Sequence, residues 1–187
     1  MKIAFYTLGC KVNQYDTQAM LEIFRASGYA VVPFEQEADV YVINTCTVTA
    51  LSDRKSRNAA RRCKKINPNA RLVICGCYAQ VKAEEAREAC GADAVIGTPD
   101  KSRIVAIVEE LAPDGVRDLW HEAPPLFDLL PAGGLSGRTR ALLKIQDGCK
   151  NFCTYCLIPF ARGPERSMPF DLAVEEAQKL QVEGYRE

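Results

Sequence analysis

From Met1 to about Leu111, short apolar runs alternate with stretches whose apolar residues recur at helical spacing. Ile3-Ala4-Phe5-Tyr6-Thr7 predicts a strand. Asn13 to Ser27 predicts a helix with Met20, Leu21 and Phe24 on one side, stopped by Gly28. Val40-Tyr41-Val42-Ile43 is apolar on both sides, as a buried strand is, and a helix follows from about Ser52 to Lys65, ended by Asn67-Pro68. Arg71-Leu72-Val73-Ile74 predicts the next strand, Ala79 to Ala89 a helix, and Ala94-Val95-Ile96 a short strand. Ile104, Val105, Val108 and Leu111 mark the last helix. Ala30-Val31-Val32-Pro33 supplies an extra strand. Such regular alternation builds βαβ units, so residues 1–111 are expected to form an α/β domain, a doubly wound parallel sheet of five strands.

Residues 112–138 change character, with Pro113, Pro124, Pro125, Pro131, Gly133, Gly134 and Gly137, and read as a linker. His121, the lone histidine, stands there beside Trp120 and reads as a solvated residue rather than a catalytic one. A second unit begins at 139–140 with a strand, Ala141-Leu142-Leu143-Lys144-Ile145. A cysteine-rich loop follows, then a helix from Leu172 to Glu183 closed by Gly184. One βα unit cannot bury its own apolar face, so 139–187 is expected to be the start of a truncated domain of a longer chain.

Composition changes this picture in one respect. Lys plus Arg and Asp plus Glu are balanced at 24 each over 187 residues, which excludes a strongly basic nucleic-acid binder overall but not a local patch. No apolar run approaches a membrane span and no signal peptide is recognisable, so a cytoplasmic protein without membrane partners is expected. Cysteine is the anomaly. Nine residues, an odd number, at positions 10, 46, 63, 75, 77, 90, 149, 153 and 156 argue for metal or redox chemistry rather than a disulfide scaffold.

Cys149-Lys-Asn-Phe-Cys153-Thr-Tyr-Cys156 is a C-x3-C-x2-C set after a strand. Three thiolates this close can hold three irons of a cubane cluster and leave the fourth iron open. A closed zinc site would need a fourth ligand, and no Cys or His follows Cys156. This spacing resembles that of radical S-adenosylmethionine (SAM) enzymes. The resemblance implies that the open iron chelates SAM and that one electron cleaves it to a 5′-deoxyadenosyl radical. It also implies that Tyr155 lies against the adenine; packing over the cluster is the equal alternative.

Of the other cysteines, Cys10, Cys46 and Cys77 each follow a predicted strand. The carboxyl ends of parallel strands share one edge, where such folds bind ligands. Gly9 and Gly76 beside them would let the backbone approach a bulky group. Cys63, Cys75 and Cys90 read as buried apolar residues, with Cys75 the one that could replace Cys77 as a ligand.

Thr7-Leu8-Gly9-Cys10-Lys11-Val12-Asn13-Gln14, Asn44-Thr45-Cys46-Thr47-Val48-Thr49, Gly76-Cys77-Tyr78-Ala79-Gln80 and the C-x3-C-x2-C loop occur together and in this order. Together they closely resemble the radical SAM methylthiotransferases, over nearly the whole chain. The Gly-Cys-Lys-Val-Asn-Gln form is most similar to MtaB-type enzymes, which act on N6-threonylcarbamoyladenosine beside the tRNA anticodon; MiaB-type enzymes more often read Gly-Cys-Gln-Met-Asn, and RimO-type enzymes, which act on ribosomal protein S12, Gly-Cys-Pro-Lys-Asn. The resemblance implies a methylthiotransferase amino-terminal domain followed by the first βα unit of a radical SAM partial TIM barrel. It implies two 4Fe-4S clusters, one on Cys10, Cys46 and Cys77 and one on Cys149, Cys153 and Cys156, with SAM as cosubstrate. The reaction implied is replacement of C2–H of the adenine by C2–SCH3, with a sulfur source and a flavodoxin-like electron donor as further partners. The chain alone is expected to hold clusters without turning over. Methylthiolation of ribosomal protein S12 and a non-catalytic iron–sulfur or RNA-binding fragment are the alternatives.

Arg54, Arg57, Arg61 and Lys65 line one face of the helix after Cys46. Such a stripe is either a solvated face or a contact for a tRNA phosphate backbone led toward the cysteines. Arg162 and Arg166, near the second cysteine loop, are expected to add contacts or to bind the SAM carboxylate.

Overall fold

The computed structural model describes residues 1–47, 50–111, 117–119, 127–131 and 140–187, with backbone alone at 50–51 and 117–119. His121 and Trp120 lie outside the described residues. The strands are β1 (Lys2–Thr7), β2 (Ala30–Val32), β3 (Val40–Thr45), β4 (Arg71–Gly76), β5 (Ala94–Ile96) and β6 (Arg117–Leu119). They form one parallel sheet in the order β2-β1-β3-β4-β5-β6.

Both faces of that sheet are covered, because side chains alternate across each strand. On one face Ile3, Val40, Val42, Val73, Cys75 and Ile96 pack against Met20 and Phe24 of α1 (Lys11–Ala26) and Ile104, Ile107 and Val108 of α5 (Ile104–Glu110). On the other, Tyr41, Ile43, Leu72 and Ile74 meet Ala59, Ala60 and Cys63 of α2 (Ala50–Ile66). They also meet Tyr78 of α3 (Cys77–Val81) and Ala86 and Cys90 of α4 (Ala83–Cys90). The expected doubly wound α/β sheet is therefore present, with one strand more than the five expected.

That strand, β6, lies inside the stretch read as a linker. Further along the same stretch, Leu130 buries itself against Tyr15 and Ala19, and the Tyr15 hydroxyl donates to its carbonyl at 3.0 Å. Prolines and glycines mark breaks, but they do not stop short apolar pieces between them from docking. The helix expected over 79–89 is two helices that break at Lys82, whose backbone (φ −138°, ψ 56°) leaves the helical region.

In the second unit, 141–145 has no ladder partner among the described residues. The strand here is β7 (Gln146–Asp147), antiparallel to β8 (Arg166–Ser167). Around them stand α6 (Ile158–Arg162) and α7 (Phe170–Val182), and α7 starts two residues before the expected Leu172. Among the described residues no helix is long and apolar enough to cross a membrane.

Leu72, fully buried between β3 and β5, gives a direct test of this core. Leu72→Ala should cost about 2–5 kcal/mol in denaturant unfolding, whereas Arg54→Ala on the exposed face of α2 should change stability by about 0.5 kcal/mol or less.

A candidate metal centre

Strand order reverses between β1 and β3, since α1 leads outward to β2 and the chain then returns to the other side of β1. That reversal opens a crevice at the carboxyl ends of the strands. Cys10 caps the start of α1 just beyond β1, Cys46 follows β3, and Cys77 is the first residue of α3, directly after β4. All three lie at the carboxyl edge of the sheet, Cys10 and Cys46 flanking the reversal and Cys77 one strand further on.

The backbone just before Cys10 lies against Cys46. Gly9 adopts φ +101°, and a Cβ built on it would come 2.7 Å from Cys46 Cβ and 2.9 Å from its Sγ. A side chain at position 9 would occupy the space beside that sulfur. Gly76 (φ +92°) is equally constrained, its missing Cβ falling 2.4 Å from the Thr45 carbonyl. Cys10 is exposed, while Cys46 and Cys77 are 5% and 4% exposed, so the edge is open on one side and closed beneath.

The remaining cysteines of the first unit separate from these by environment. Burial pushes the thiols of Cys63 and Cys90 up to about 11 and that of Cys75 up to about 12. Cys75 points to the face of β4 packed by α1 and α5 and is core. All three were expected there.

The second loop turns from Cys149, whose N–H donates to the Gly163 carbonyl at 3.0 Å, to Cys156, whose N–H donates to the Cys153 carbonyl at 2.9 Å. Phe152 between them holds φ +46°, an unusual conformation for a bulky residue. Cys153 is exposed and Cys149 and Cys156 are half-buried. Tyr155 is 91% exposed.

Among the described residues, no His, Cys, Asp or Glu side chains converge in a set of three or more about one point, as a lone ion requires. A cubane cluster is larger and spreads its thiolates over its corners. Two all-cysteine sets, each lacking a fourth ligand and reached from solvent by an exposed cysteine, suit that group better than a closed single-metal site.

Beneath the edge lies a charged cluster the sequence reading did not single out. Asp16 of α1 is 1% exposed and pairs with Lys101, with Lys144 Nζ at 2.9 Å and with Arg162 Nη2 at 3.6 Å. Asp147 takes both of its oxygens to Arg162 Nη1 at 3.0 Å and lies 3.4 Å from Lys144. Burial alone would raise the Asp16 carboxyl, but Lys101, Lys144 and Arg162 outweigh it and hold it well below 3.8. Burial raises the Cys77 thiol, against the pull of Arg162 and Lys101.

Arg162 is 3% exposed, and its guanidinium donates to Asp147 and, at 2.7 Å, to Asn13 Oδ1. Arg166 donates to the Arg162 carbonyl at 2.9 Å. The sequence signals for the cluster were a carboxylate on the apolar stripe of α1, beside Met20 and Phe24, and a lysine inside the apolar run 141–145.

On α2, Arg54, Arg61 and Lys65 are exposed and make no ion pair among the described residues. Arg57 is half-buried 4.0 Å from Glu85. The stripe is therefore three open cations and one engaged one.

The model of the family described as "Uncharacterized protein family UPF0004" matches residues 2–97. The chain is 44% identical over 190 residues to a threonylcarbamoyladenosine tRNA methylthiotransferase MtaB of Bacillus subtilis, covering 99% of this chain and 42% of the relative. It is 43% identical over 194 residues to the protein of the same name in Aquifex aeolicus, covering 100% and 46%. It is 37% identical over 198 residues to a ribosomal protein uS12 methylthiotransferase RimO of Trichlorobacter lovleyi, covering 100% and 43%. The chain spans less than half the length of these relatives.

Removing the central charge should expose its weight. Asp16→Asn leaves three cations gathered without their shared partner and should cost about 3–5 kcal/mol at neutral pH in denaturant unfolding. The folded Asp16 pKa is depressed, so its stabilisation is full above pH ~4 and fades as pH falls below that value. The variant's deficit should accordingly shrink between about pH 4 and pH 2.

Proposed function

The chain belongs to the UPF0004 family, and from that premise we propose that it is the amino-terminal portion of a radical SAM methylthiotransferase acting on tRNA. The proposed reaction replaces C2–H of N6-threonylcarbamoyladenosine, beside the anticodon, with C2–SCH3. The observation that supports it is the placement of Cys10, Cys46 and Cys77 at the carboxyl edge of one sheet, where Asn13 is hydrogen-bonded by Arg162 from the unit that bears Cys149, Cys153 and Cys156. The MtaB name of two relatives favours the tRNA nucleoside.

In this reading Cys10, Cys46 and Cys77 hold one 4Fe-4S cluster and Cys149, Cys153 and Cys156 another. The residues present suit that role by donor chemistry, two sets of three cysteines each with one exposed member. When bound, these groups supply the sulfur to be inserted and the electron that opens SAM. The protein's own part is to place and to shield. Cys46 and Cys77 sit deep enough to keep water from one side of the first site, and exposed Cys10 leaves the other side open to a nucleoside. Tyr155, with its ring free, offers the adenine of SAM a face to lie against. Arg166, bonded to the backbone of Arg162, borders the same loop.

On α2, Arg54, Arg61 and Lys65 offer open charge to the phosphate backbone, with Arg57 held by Glu85. An external reductant of the flavodoxin-like class and a sulfur source complete the system, which we place in the cytoplasm.

Anaerobic reconstitution tests the cofactor reading. The chain should hold about eight irons, falling to about four when Cys149, Cys153 and Cys156 are all changed to Ala; zinc in place of iron, or iron unchanged in the variant, would overturn it. In the longer protein, methyl label from SAM should enter tRNA, and label entering ribosomal protein S12 instead would redirect the assignment.

A second measurement addresses the helix. Changing Arg54, Arg61 and Lys65 to Ala should weaken tRNA binding and flatten its dependence on log salt by up to about 2–3 units of slope. An unchanged slope would make the stripe a solvated face.

A further inference from the structure

Asn13 is fully buried and ties the first cysteine edge together. Its Nδ2 donates to the Leu8 and Thr45 carbonyls at 2.8 Å each, beside Cys10 and Cys46, and its own carbonyl accepts from Asn44 Nδ2 at 2.9 Å. Its Oδ1 accepts from Arg162 Nη2 at 2.7 Å. The other arm of Arg162, Nη1, reaches both oxygens of Asp147, and Asp147 Oδ1 accepts from the N–H of Gly148, the residue before Cys149. The backbone returns the connection, since the Cys149 N–H donates to Gly163, the residue after Arg162. One guanidinium thus spans from the edge that carries Cys10 and Cys46 to the start of the loop that carries Cys149.

The type of residue matters. Only the planar fork of arginine directs donors two ways at once at fixed angles; a lysine ammonium is a single point on a flexible stem. Burying such a cation between two units is costly in desolvation, and apolar packing would join them as firmly. What the fork adds is register. Asp16 completes the seat, held by Lys101 from the first unit and Lys144 from the second.

We propose that Arg162, acting through Asn13 and Asp147, is the positioning residue that fixes the separation and orientation of the Cys10–Cys46–Cys77 edge relative to the Cys149–Cys153–Cys156 loop. The inference rests on the two-site reading above, in which sulfur and radical must reach one nucleoside from the two cysteine sets. Arg162 touches neither nucleoside nor SAM; it sets the span between them.

Two measurements on the intact chain test it. In the first, hydrogen exchange is followed in the metal-free protein for Arg162→Gln, Arg162→Lys and the parent. Arg162→Gln should raise exchange about tenfold or more at the Cys149 amide and along 146–167, while β3 and β4 keep their protection. Arg162→Lys should share most of that loss, because charge without the fork does not hold both arms. Should Arg162→Gln lose protection throughout and so fail to fold, Arg162→Lys decides by the same measure. Unchanged exchange at 146–167 in a folded variant overturns the proposal.

In the second, the reconstituted and reduced chain is examined by electron paramagnetic resonance for magnetic coupling between the two clusters. The parent should show one defined coupling, and Arg162→Gln, with iron content retained, a broadened or lost one. The same coupling in both overturns the proposal. A parent that binds no iron would instead defeat the two-cluster reading, with the exchange measurement still judging the role of Arg162 in joining the units.

Discussion

A carboxylate at the buried face of α1 is the constraint around which the two halves of this chain are arranged. Asp16 meets Lys101, Lys144 and Arg162 with almost no water at hand. Each ion loses several kcal/mol of hydration on burial, so the cluster is a poor way to gain stability alone. It is demanding in another sense. With Asp16 in place, every other member must be present and correctly aimed, since a single missing partner leaves an uncompensated charge. Lys144 and Arg162 come from the second unit, so the first unit accepts that partner in one arrangement only.

The sheet supplies the other half of the design. A parallel sheet delivers all its loops to one edge, and the reversal between β1 and β3 opens a gap there. Cys10 and Cys46 flank that gap, and Cys77 joins them because Gly76 lets β4 turn directly into α3 without a connecting loop. Residues far apart in sequence become neighbours through topology, without any local motif that binds metal. The C-x3-C-x2-C loop is the opposite case, in which spacing alone keeps the three cysteines within one short segment.

That contrast explains what could be read from the chain directly. The alternation of apolar runs and amphipathic stretches carries the sheet because β3 and β4 are buried on both faces and admit few polar residues. Strand-end cysteines follow from the same pattern. β6 escaped because it is three residues long among prolines, and the pairing of β7 with β8 because two residues cannot show a period. The charged cluster escaped for a different reason. Asp16, Lys101, Lys144 and Asp147 are ordinary surface residue types whose partnership exists only once the helix, the turn before α5 and the second unit are packed. Arg162 was singled out for its closeness to Cys156 in sequence, but its direction is set by Asn13 and Asp147, which no spacing reveals.

The nine cysteines show how environment divides one residue type into two roles. Burial raises the thiols of Cys63, Cys75 and Cys90 well above neutral pH and keeps them protonated, although Lys64, Lys101 and the pair Arg57 and Arg61, respectively, pull the other way. Cys77 is buried almost as deeply, and there Arg162 opposes desolvation both by its charge and by a hydrogen bond to the thiol. In the proposed two-site reading Cys77 must give up its proton, which the hydrogen bond from Arg162 favours. The arginine that sets the span between the two units also faces the deepest cysteine of the first site. Geometry and charge are therefore requirements on one residue, and a substitution that keeps the charge but loses the fork separates them.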